Sequence, residues 1–204
     1  MRAAACALLV AAALDFTPAR RVSGVAPALP PPTAVGWVEE TVDVAVDSSG
    51  AVRDVVLLRG TQPSAALLGP AVSTWKFRPA TELDRPANAH VLAAALVRPP
   101  QLFDQPALGS APADYAIPSD EMPYPTAVHR PRYPPAAVGD AIVLVEVLVG
   151  VDGRVRAAAV VRGAAGFNDE ALLTARKWVF RPAHVNGELV PAYAYLAFGF
   201  RQPV

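Results

Sequence analysis

One short phrase occurs twice in the chain and constrains its fold more than any other feature. Residues 75–80 read WKFRPA and residues 178–183 read WVFRPA, 103 positions apart. The same offset aligns residues 28–97 with residues 131–200 without a gap, placing Gly50 on Gly153. Self-similarity over this length predicts two copies of one module.

Composition restricts the class of protein. The 204 residues are 53% hydrophobic and 18% charged, a balance typical of folded chains, and the length accommodates two domains. Because 18 Lys and Arg balance 18 Asp and Glu, the charge provides no footprint for nucleic acid or an anionic membrane. Many of the 22 prolines fall in residues 98–130. This segment is therefore predicted to be a semi-extended linker between a module at 28–97 and a module at 131–204.

The N-terminus has the pattern of a secretory signal peptide. Met1 and Arg2 precede an apolar run from Ala3 to Leu14, and small residues follow up to Ala19. The run is shorter than the roughly 20 apolar residues that span a bilayer. We therefore expect a signal peptide over residues 1–19, with a buried N-terminal helix as the alternative. Cys6, the single cysteine, lies in this run, so no intrachain disulfide is expected.

Each module is predicted to be α+β, with a strand–strand–helix–strand order. In the second module, strands are expected over 141–149, 155–161 and 191–200, with tight turns at 151–153 and at Asn186–Gly187. A helix is expected over 169–178, N-capped by Asn168. In the first module the hairpin is retained, and a last strand is expected over 89–97. Gly69–Pro70 should break or displace its helix.

Catalysis is not expected. His90, His129 and His184 are isolated and have no spacing typical of metal ligands. Nucleophile-elbow, phosphate-loop and zinc-protease motifs are missing from the sequence. Asp152 and Asp169 are explained by a turn and a helix start. The chain is therefore predicted to be neither an enzyme nor a protein with a cofactor, a metal or a small-molecule substrate.

Four segments of the second module together suggest a family. They are RPRYPPAA at 130–137, VEVLVGVDGRV at 145–155, FNDEAL at 167–172 and WVFRPA at 178–183. In this order and spacing they resemble the C-terminal domain of TonB-type energy transducers. The first module resembles the same domain more weakly, with Pro30 in place of the tyrosine of the Tyr-Pro motif.

The resemblance implies a small antiparallel sheet with helices on one face. It also implies a periplasmic protein that pairs an extended peptide, the TonB box of an outer-membrane transporter, with a sheet edge. We expect the last strand to be that edge, because a sheet of few strands leaves edge groups unpaired. The expected partner-binding residues lie on this strand, at the Tyr-Pro motif and at the repeated Arg-Pro: Tyr133, Pro134, Arg181, Tyr193, Tyr195, Leu196 and Phe198.

Structural roles compete with binding at these positions. Core packing is the alternative for the aromatic residues of the last strand and the favoured reading for Trp75 and Trp178. For Tyr133–Pro134 the alternative is a pre-proline turn, and for Arg181 it is a bond to helix-end carbonyls.

Three other readings of the whole chain stay open. The strand at 141–149 is apolar on both faces except for Glu146, which suggests that the two modules pack as an intramolecular pseudo-dimer; a homodimer is the alternative. The alternative function is that of a structural or scaffolding periplasmic protein that does not contact a transporter. An uncleaved N-terminus would tether it to the inner membrane.

Overall fold

The computed structural model describes residues 15–31, 36–61, 67–100 and 111–203. In the first half of the chain the strands are β1 Phe16–Thr17, β2 Arg20–Ser23, β3 Val38–Val46, β4 Val52–Gly60, β5 Lys76–Arg78, β6 Ala80–Glu82, β7 Arg85–Ala87 and β8 Ala89–Val97. Those that follow are β9 Ala113–Asp114, β10 Tyr124–Ala127, β11 Ala141–Val149, β12 Val155–Arg162, β13 Val179–Arg181, β14 Ala183–Val185, β15 Glu188–Val190 and β16 Ala192–Phe200. Helix α1 spans Gly69–Val72 and helix α2 spans Asn168–Ala175. Strands thus predominate over helices, and the expected α+β class fits the described residues.

A single seven-stranded sheet runs through both halves of the chain. Its strand order is β12-β11-β16-β8-β3-β4-β9. All neighbours are antiparallel except β16 and β8, which pair in parallel with Tyr195 opposite Ala93. The two halves therefore meet through their last long strands at the centre of the sheet.

The hydrophobic core is divided between the two faces of this sheet. Helix α2 and Trp178 pack on one face, against alternate residues of β11 and β16. Helix α1 and Trp75 pack on the opposite face, against alternate residues of β3 and β8. Because side chains alternate along a strand, β8 and β16 contribute to both cores: Leu92 lies in the α2 core and Tyr195 in the α1 core.

The two long hairpins are built alike. Gly50 and Gly153 occupy the turns with φ of 83° and 74°, which favours glycine. In each turn a β-carbon would lie 1.9 Å from a carbonyl oxygen, that of Phe77 or Phe180. The strands after the turns carry bulges near both ends, as is common at sheet edges. The expected hairpins are confirmed at both positions.

The helices differ between the halves, as Gly69–Pro70 predicted. In the described residues α1 has four residues, against eight in α2. Glu40, almost fully buried, accepts hydrogen bonds from the backbone N–H groups of Leu67 and Leu68 at 2.8 and 3.2 Å. Burial raises the pKa of this carboxyl. A side chain from β3 therefore satisfies the N–H groups ahead of α1.

Two details of the α2 prediction are wrong. The N-cap is Phe167, and the amide oxygen of Asn168 accepts a hydrogen bond from the Ala164 N–H at 2.9 Å. The helix ends at Ala175, before Trp178. Trp178 is buried, and its indole N–H donates to the carbonyl of His129 at 2.9 Å. Trp75 is buried as well, which confirms the core reading for both tryptophans.

Two extended segments cross the sheet, one on each face. We call residues 15–31 the N-terminal strap and residues 111–131 the central strap. The N-terminal strap pairs with β5 and β6 of the first half, and Ala19 packs in the α1 core. The central strap pairs with β13 of the second half, and Met122 packs in the α2 core. Folded structure thus precedes residue 28, the expected start of the first module.

The expected signal peptide lies mostly outside the described residues, which begin at Asp15. Its expected cleavage point, after Ala19, follows β1 and falls at a residue that is 3% exposed. Cleavage there would therefore remove a strand that pairs with β6.

Candidate protein-binding edge

The last strand is not an edge of the sheet, so the prediction that β16 offers a free edge is wrong. β16 pairs with β11 along all nine of its residues and with β8 from Ala194 to Gly199. The physical reason is that the first half has an equally apolar last strand, β8. Pairing the two strands satisfies the backbone groups of both and buries their side chains on both faces.

Most of the predicted binding residues on β16 are consequently core residues. Tyr195, Leu196 and Phe198 are 0% exposed, and Phe198 packs edge-on against Trp178 with ring centroids 6.0 Å apart. Tyr193 is half-buried, and the Arg20 guanidinium lies 5.2 Å from its ring centroid. No extended peptide reaches the backbone of β16 while β8 is paired with it.

The Tyr195 hydroxyl fastens the N-terminal strap to the sheet. It accepts a hydrogen bond from the Arg21 N–H at 2.6 Å and donates to the Glu146 carboxylate at 3.0 Å. Glu146 also accepts from the Arg20 guanidinium, with Nη2 at 2.9 Å and Nε at 3.1 Å. Burial is the main cause that raises the pKa of Tyr195, so the hydroxyl stays protonated as a donor. The N-terminal strap thus packs on the second face of β11, at Glu146.

The other predicted residues hold loops in place. Tyr133 donates from its hydroxyl to the Gly139 carbonyl at 2.9 Å, and its ring packs edge-on against Phe167. The Pro134 carbonyl accepts from the Ala137 N–H at 3.0 Å, as in the turn given as its alternative. Both residues are half-buried.

Arg181 binds the central strap. Its guanidinium pairs with the Asp120 carboxylate and donates to the Ser119 carbonyl at 2.8 Å. Arg181 therefore bonds the central strap, and not the helix-end carbonyls given as its alternative. Whether any of the predicted residues touches a partner stays a prediction.

The sheet ends at β12 on one side and, on the other side, at the two-residue strand β9 beside β4. Among the described residues, β12 pairs only with β11, so its outer backbone groups have no strand beside them. Its side chains are exposed or half-buried throughout. The edge at β4 is different, because β9 pairs with its last two residues, Arg59 and Gly60.

A groove of about 690 Å³ lies beside the end of β12. It is bounded by residues 21–27 of the N-terminal strap on one side and by residues 161–164 on the other, with Ile142 between them. Of the described residues that line it, Arg21 and Arg162 are charged, and none is acidic. Sequence reasoning missed this site. The repeated Arg-Gly pair at 59–60 and 162–163 was its only signal in the sequence.

Comparison with known proteins identifies the domain that carries this edge. Residues 129–201 match the family model of the Gram-negative bacterial TonB protein C-terminal. The match runs from the end of the central strap through β16. The second half of the chain thus contains a TonB C-terminal-like domain, a domain type associated with transport, as the resemblance indicated. No curated protein and no solved structure matches the chain significantly.

Membrane-spanning helices and metal-ion clusters are both absent from the described residues. None of their helices has both the length and the apolar character needed to cross a membrane. In the same residues, no group of three or more His, Cys, Asp or Glu side chains is arranged to hold a metal ion.

Proposed function

We propose that the chain is a non-enzymatic periplasmic protein whose TonB C-terminal-like domain binds an extended segment of an outer-membrane transporter by strand addition at β12. One observation carries the proposal. In the domain that matches the TonB family, the described residues leave the outer edge of β12 without a neighbouring strand, whereas β16 lies between two strands. An extended segment at β12 would satisfy the unpaired backbone groups, and exposed side chains beside the strand would add selectivity.

The first half is, in this proposal, a diverged second copy of the domain. The repeat of WxFRPA at a constant offset supports it. The burial of β3 and β11 supports it as well, because each of their nine aligned residues falls in the same burial class in both strands. The copy supplies β8 and so takes the position beside β16 that a peptide would otherwise occupy.

A second candidate function is structural. The parallel pairing of β8 with β16 buries both last strands, which favours a scaffold that never opens to a transporter. In that case β12 would contact another envelope protein during assembly. An uncleaved N-terminus that anchors the chain to the inner membrane fits either function.

Site-specific photo-crosslinking separates the two functions. A photoreactive residue is placed at Ala159, which is exposed on β12, in the full chain expressed in a Gram-negative host. The matched control carries it at Val56, the aligned position on β4, which is 39% exposed. Crosslinks to outer-membrane transporters from Ala159 and not from Val56 support the proposal. Crosslinks only to other envelope proteins favour the scaffold.

Localisation is tested on the same strain. Osmotic-shock fractionation is expected to release the chain with the periplasm, and N-terminal sequencing of that material locates any cleavage point. Recovery only with inner-membrane vesicles would indicate the tethered form, and recovery in the cytoplasm would contradict the proposal.

A further inference from the structure

The first half carries a bound extended segment at its sheet edge, contributed by the chain itself. Residues 113–115 lie antiparallel to the end of β4, with Ala113 opposite Gly60 and Asp114 opposite Arg59. The Tyr115 N–H donates to the Leu58 carbonyl at 2.8 Å, and the Asp114 carboxylate lies 3.7 Å from Nε of Arg59. An acidic segment thus occupies the edge through backbone pairing and one ion pair.

The aligned edge in the second half has the same Arg-Gly pair, but no strand covers it among the described residues. Arg162 and Gly163 correspond to Arg59 and Gly60, and Val161 corresponds to Leu58. Leu58 is 1% exposed, whereas Val161 is 38% exposed. The apolar side chain that the strap covers in one half is therefore open to solvent in the other.

The groove beside the uncovered edge is also larger than the groove beside the covered edge. The groove that Arg59 lines, under the central strap, has a volume of about 40 Å³ and includes Glu39. The groove that Arg162 lines has a volume of about 690 Å³, and the position aligned with Glu39 is Ile142. Because Ile142 stands where the smaller groove has Glu39, the charged lining residues of the larger groove are Arg21 and Arg162, which are both positive.

We propose that the edge at Val161–Gly163 binds an extended, Asp- or Glu-bearing segment of a partner protein, antiparallel to β12, with its carboxylate paired to Arg162. This inference rests on the proposed function and names the chemistry of its partner. The segment repeats at Arg162 the arrangement that residues 113–115 make at Arg59. Arg21, across the groove, adds to the positive potential that attracts the carboxylate.

The charge of the edge argues for an acidic partner over a second copy of the chain. An antiparallel pair of two β12 strands centred on Ala159 would bring Arg156 of one copy toward Arg162 of the other. Like charges opposite each other destabilise a strand pair. An acidic strand meets no such repulsion.

The probe for this site is the chain's own edge segment as a synthetic peptide. A fluorescent peptide with the sequence of residues 111–117, APADYAI, is titrated into the full chain and followed by anisotropy. We expect saturable binding that weakens with salt. We also expect amide hydrogen exchange to slow at residues 157–163.

Charge exchange tests the ion pair directly. Arg162→Glu is expected to weaken binding of APADYAI at least about tenfold, which is the loss of one charge-assisted bond. A peptide with Lys in place of its Asp, APAKYAI, should bind Arg162→Glu more tightly than it binds the wild type. That reversal cannot come from misfolding. Arg176→Glu, the same charge change at an exposed position beyond α2, is the control and should leave the affinity within about twofold.

Several results would overturn the inference. The full chain could fail to bind APADYAI, or the wild type could bind both peptides with equal affinity. Amide hydrogen exchange could also slow at β4 in place of β12. Self-association through β12 in sedimentation experiments would replace the acidic partner with a second copy. If Ala159 crosslinks to a transporter while APADYAI does not bind, the acidic specificity fails and the proposed function stands. If neither occurs, both fail.

Discussion

The two halves share their hairpins and differ in what covers their outer edges. At β4 the central strap adds a short strand and places Asp114 near Arg59. At β12 the same Arg-Gly pair borders an open groove. Similar hairpins thus have different surroundings at their outer edges. The central strap, and not the hairpin itself, decides how β4 is covered.

The two faces of the sheet differ in the same way, in the partners of a buried carboxylate. Glu146 on β11 and Asp43 on β3 occupy aligned positions, and both are 7% exposed. Glu146 is bound by the N-terminal strap through Arg20 and by Tyr195. Asp43 is bound by His90 of the neighbouring strand, 2.8 Å away. A buried carboxylate thus recurs while its partners differ.

The largest expected effect breaks a feature that both halves share. Gly153→Ala should lower the free energy of unfolding by several kcal/mol, because its β-carbon would lie 1.9 Å from the Phe180 carbonyl oxygen. Gly50→Ala should cost a similar amount for the same reason. Urea unfolding of the two variants tests whether the halves depend equally on their turns.

Gly187→Ala is the control for these variants. Gly187 has a φ of 83°, close to that of Gly153, but a β-carbon there would meet no atom within 4 Å. Its cost should be limited to about 1 to 2 kcal/mol of backbone strain. Equal losses at Gly153 and Gly187 would show that φ, and not the close approach, requires glycine in the hairpin.

The next effect separates the two buried carboxylates. Glu146→Ala should cost about 2 to 3 kcal/mol, because it removes the acceptor of the Tyr195 hydroxyl and releases Arg20 from the sheet. Asp43→Ala should cost about 1 kcal/mol, because its partner His90 is partly exposed. Thermal unfolding measures both losses.

Limited proteolysis then checks the mechanism. Cleavage within residues 15–31 should accelerate in Glu146→Ala and not in Asp43→Ala. Tyr195→Phe combined with Glu146→Ala should cost less than the sum of the single losses, since the two groups share one bond. Additive losses would contradict the network.

A smaller effect should stabilise the first half by copying the second. The turn between β6 and β7 has Leu83 and Asp84 at φ of 49° and 62°, where the aligned turn has Asn186 and Gly187. Leu83→Asn with Asp84→Gly should raise the free energy of unfolding by about 1 kcal/mol. The reverse change, Asn186→Leu with Gly187→Asp, should lower it by a similar amount. A loss in the first variant would mean that Leu83 or Asp84 has a further role.

The smallest effect is a pH dependence confined to the first half. A hydrogen bond to Asp43 raises the pKa of His90 above its usual value of 6.5. Its contribution to stability is therefore complete below pH 6.5 and is lost as the pH rises through the raised pKa. For a partly exposed pair we expect less than about 1 kcal/mol.

Unfolding of the wild type and of His90→Gln across this pH range measures the contribution. The two stabilities should differ most at the acidic end and converge at the alkaline end. A difference that does not change with pH would assign the contribution of His90 to packing alone.

Local patterns predicted the elements closely. Strands were expected over 89–97, 141–149 and 191–200, and β8, β11 and β16 match these bounds to within one residue. Asn186–Gly187 located the turn between β14 and β15. Gly69–Pro70 predicted the short helix.

The candidate site was not predicted, because edges are not local properties. Whether a strand is central or terminal depends on which distant strand pairs with it. β8 and β16 pair with each other although their aligned positions are 103 residues apart in the sequence. The covering of Leu58 and the exposure of Val161 depend in the same way on where the central strap lies.

The sequence by itself determined that one six-residue phrase recurs at an offset of 103 residues, that each half has a hairpin with a glycine at its turn, and that residues 131–204 resemble a TonB C-terminal domain. Only the tertiary structure decided that the last strands pair with each other and that, in the described part of the chain, β12 has no strand on its outer side. The physical reason is that φ, side-chain alternation and turn geometry act within a few residues of the chain. Strand partners are chosen by burial and backbone hydrogen bonding across the whole fold.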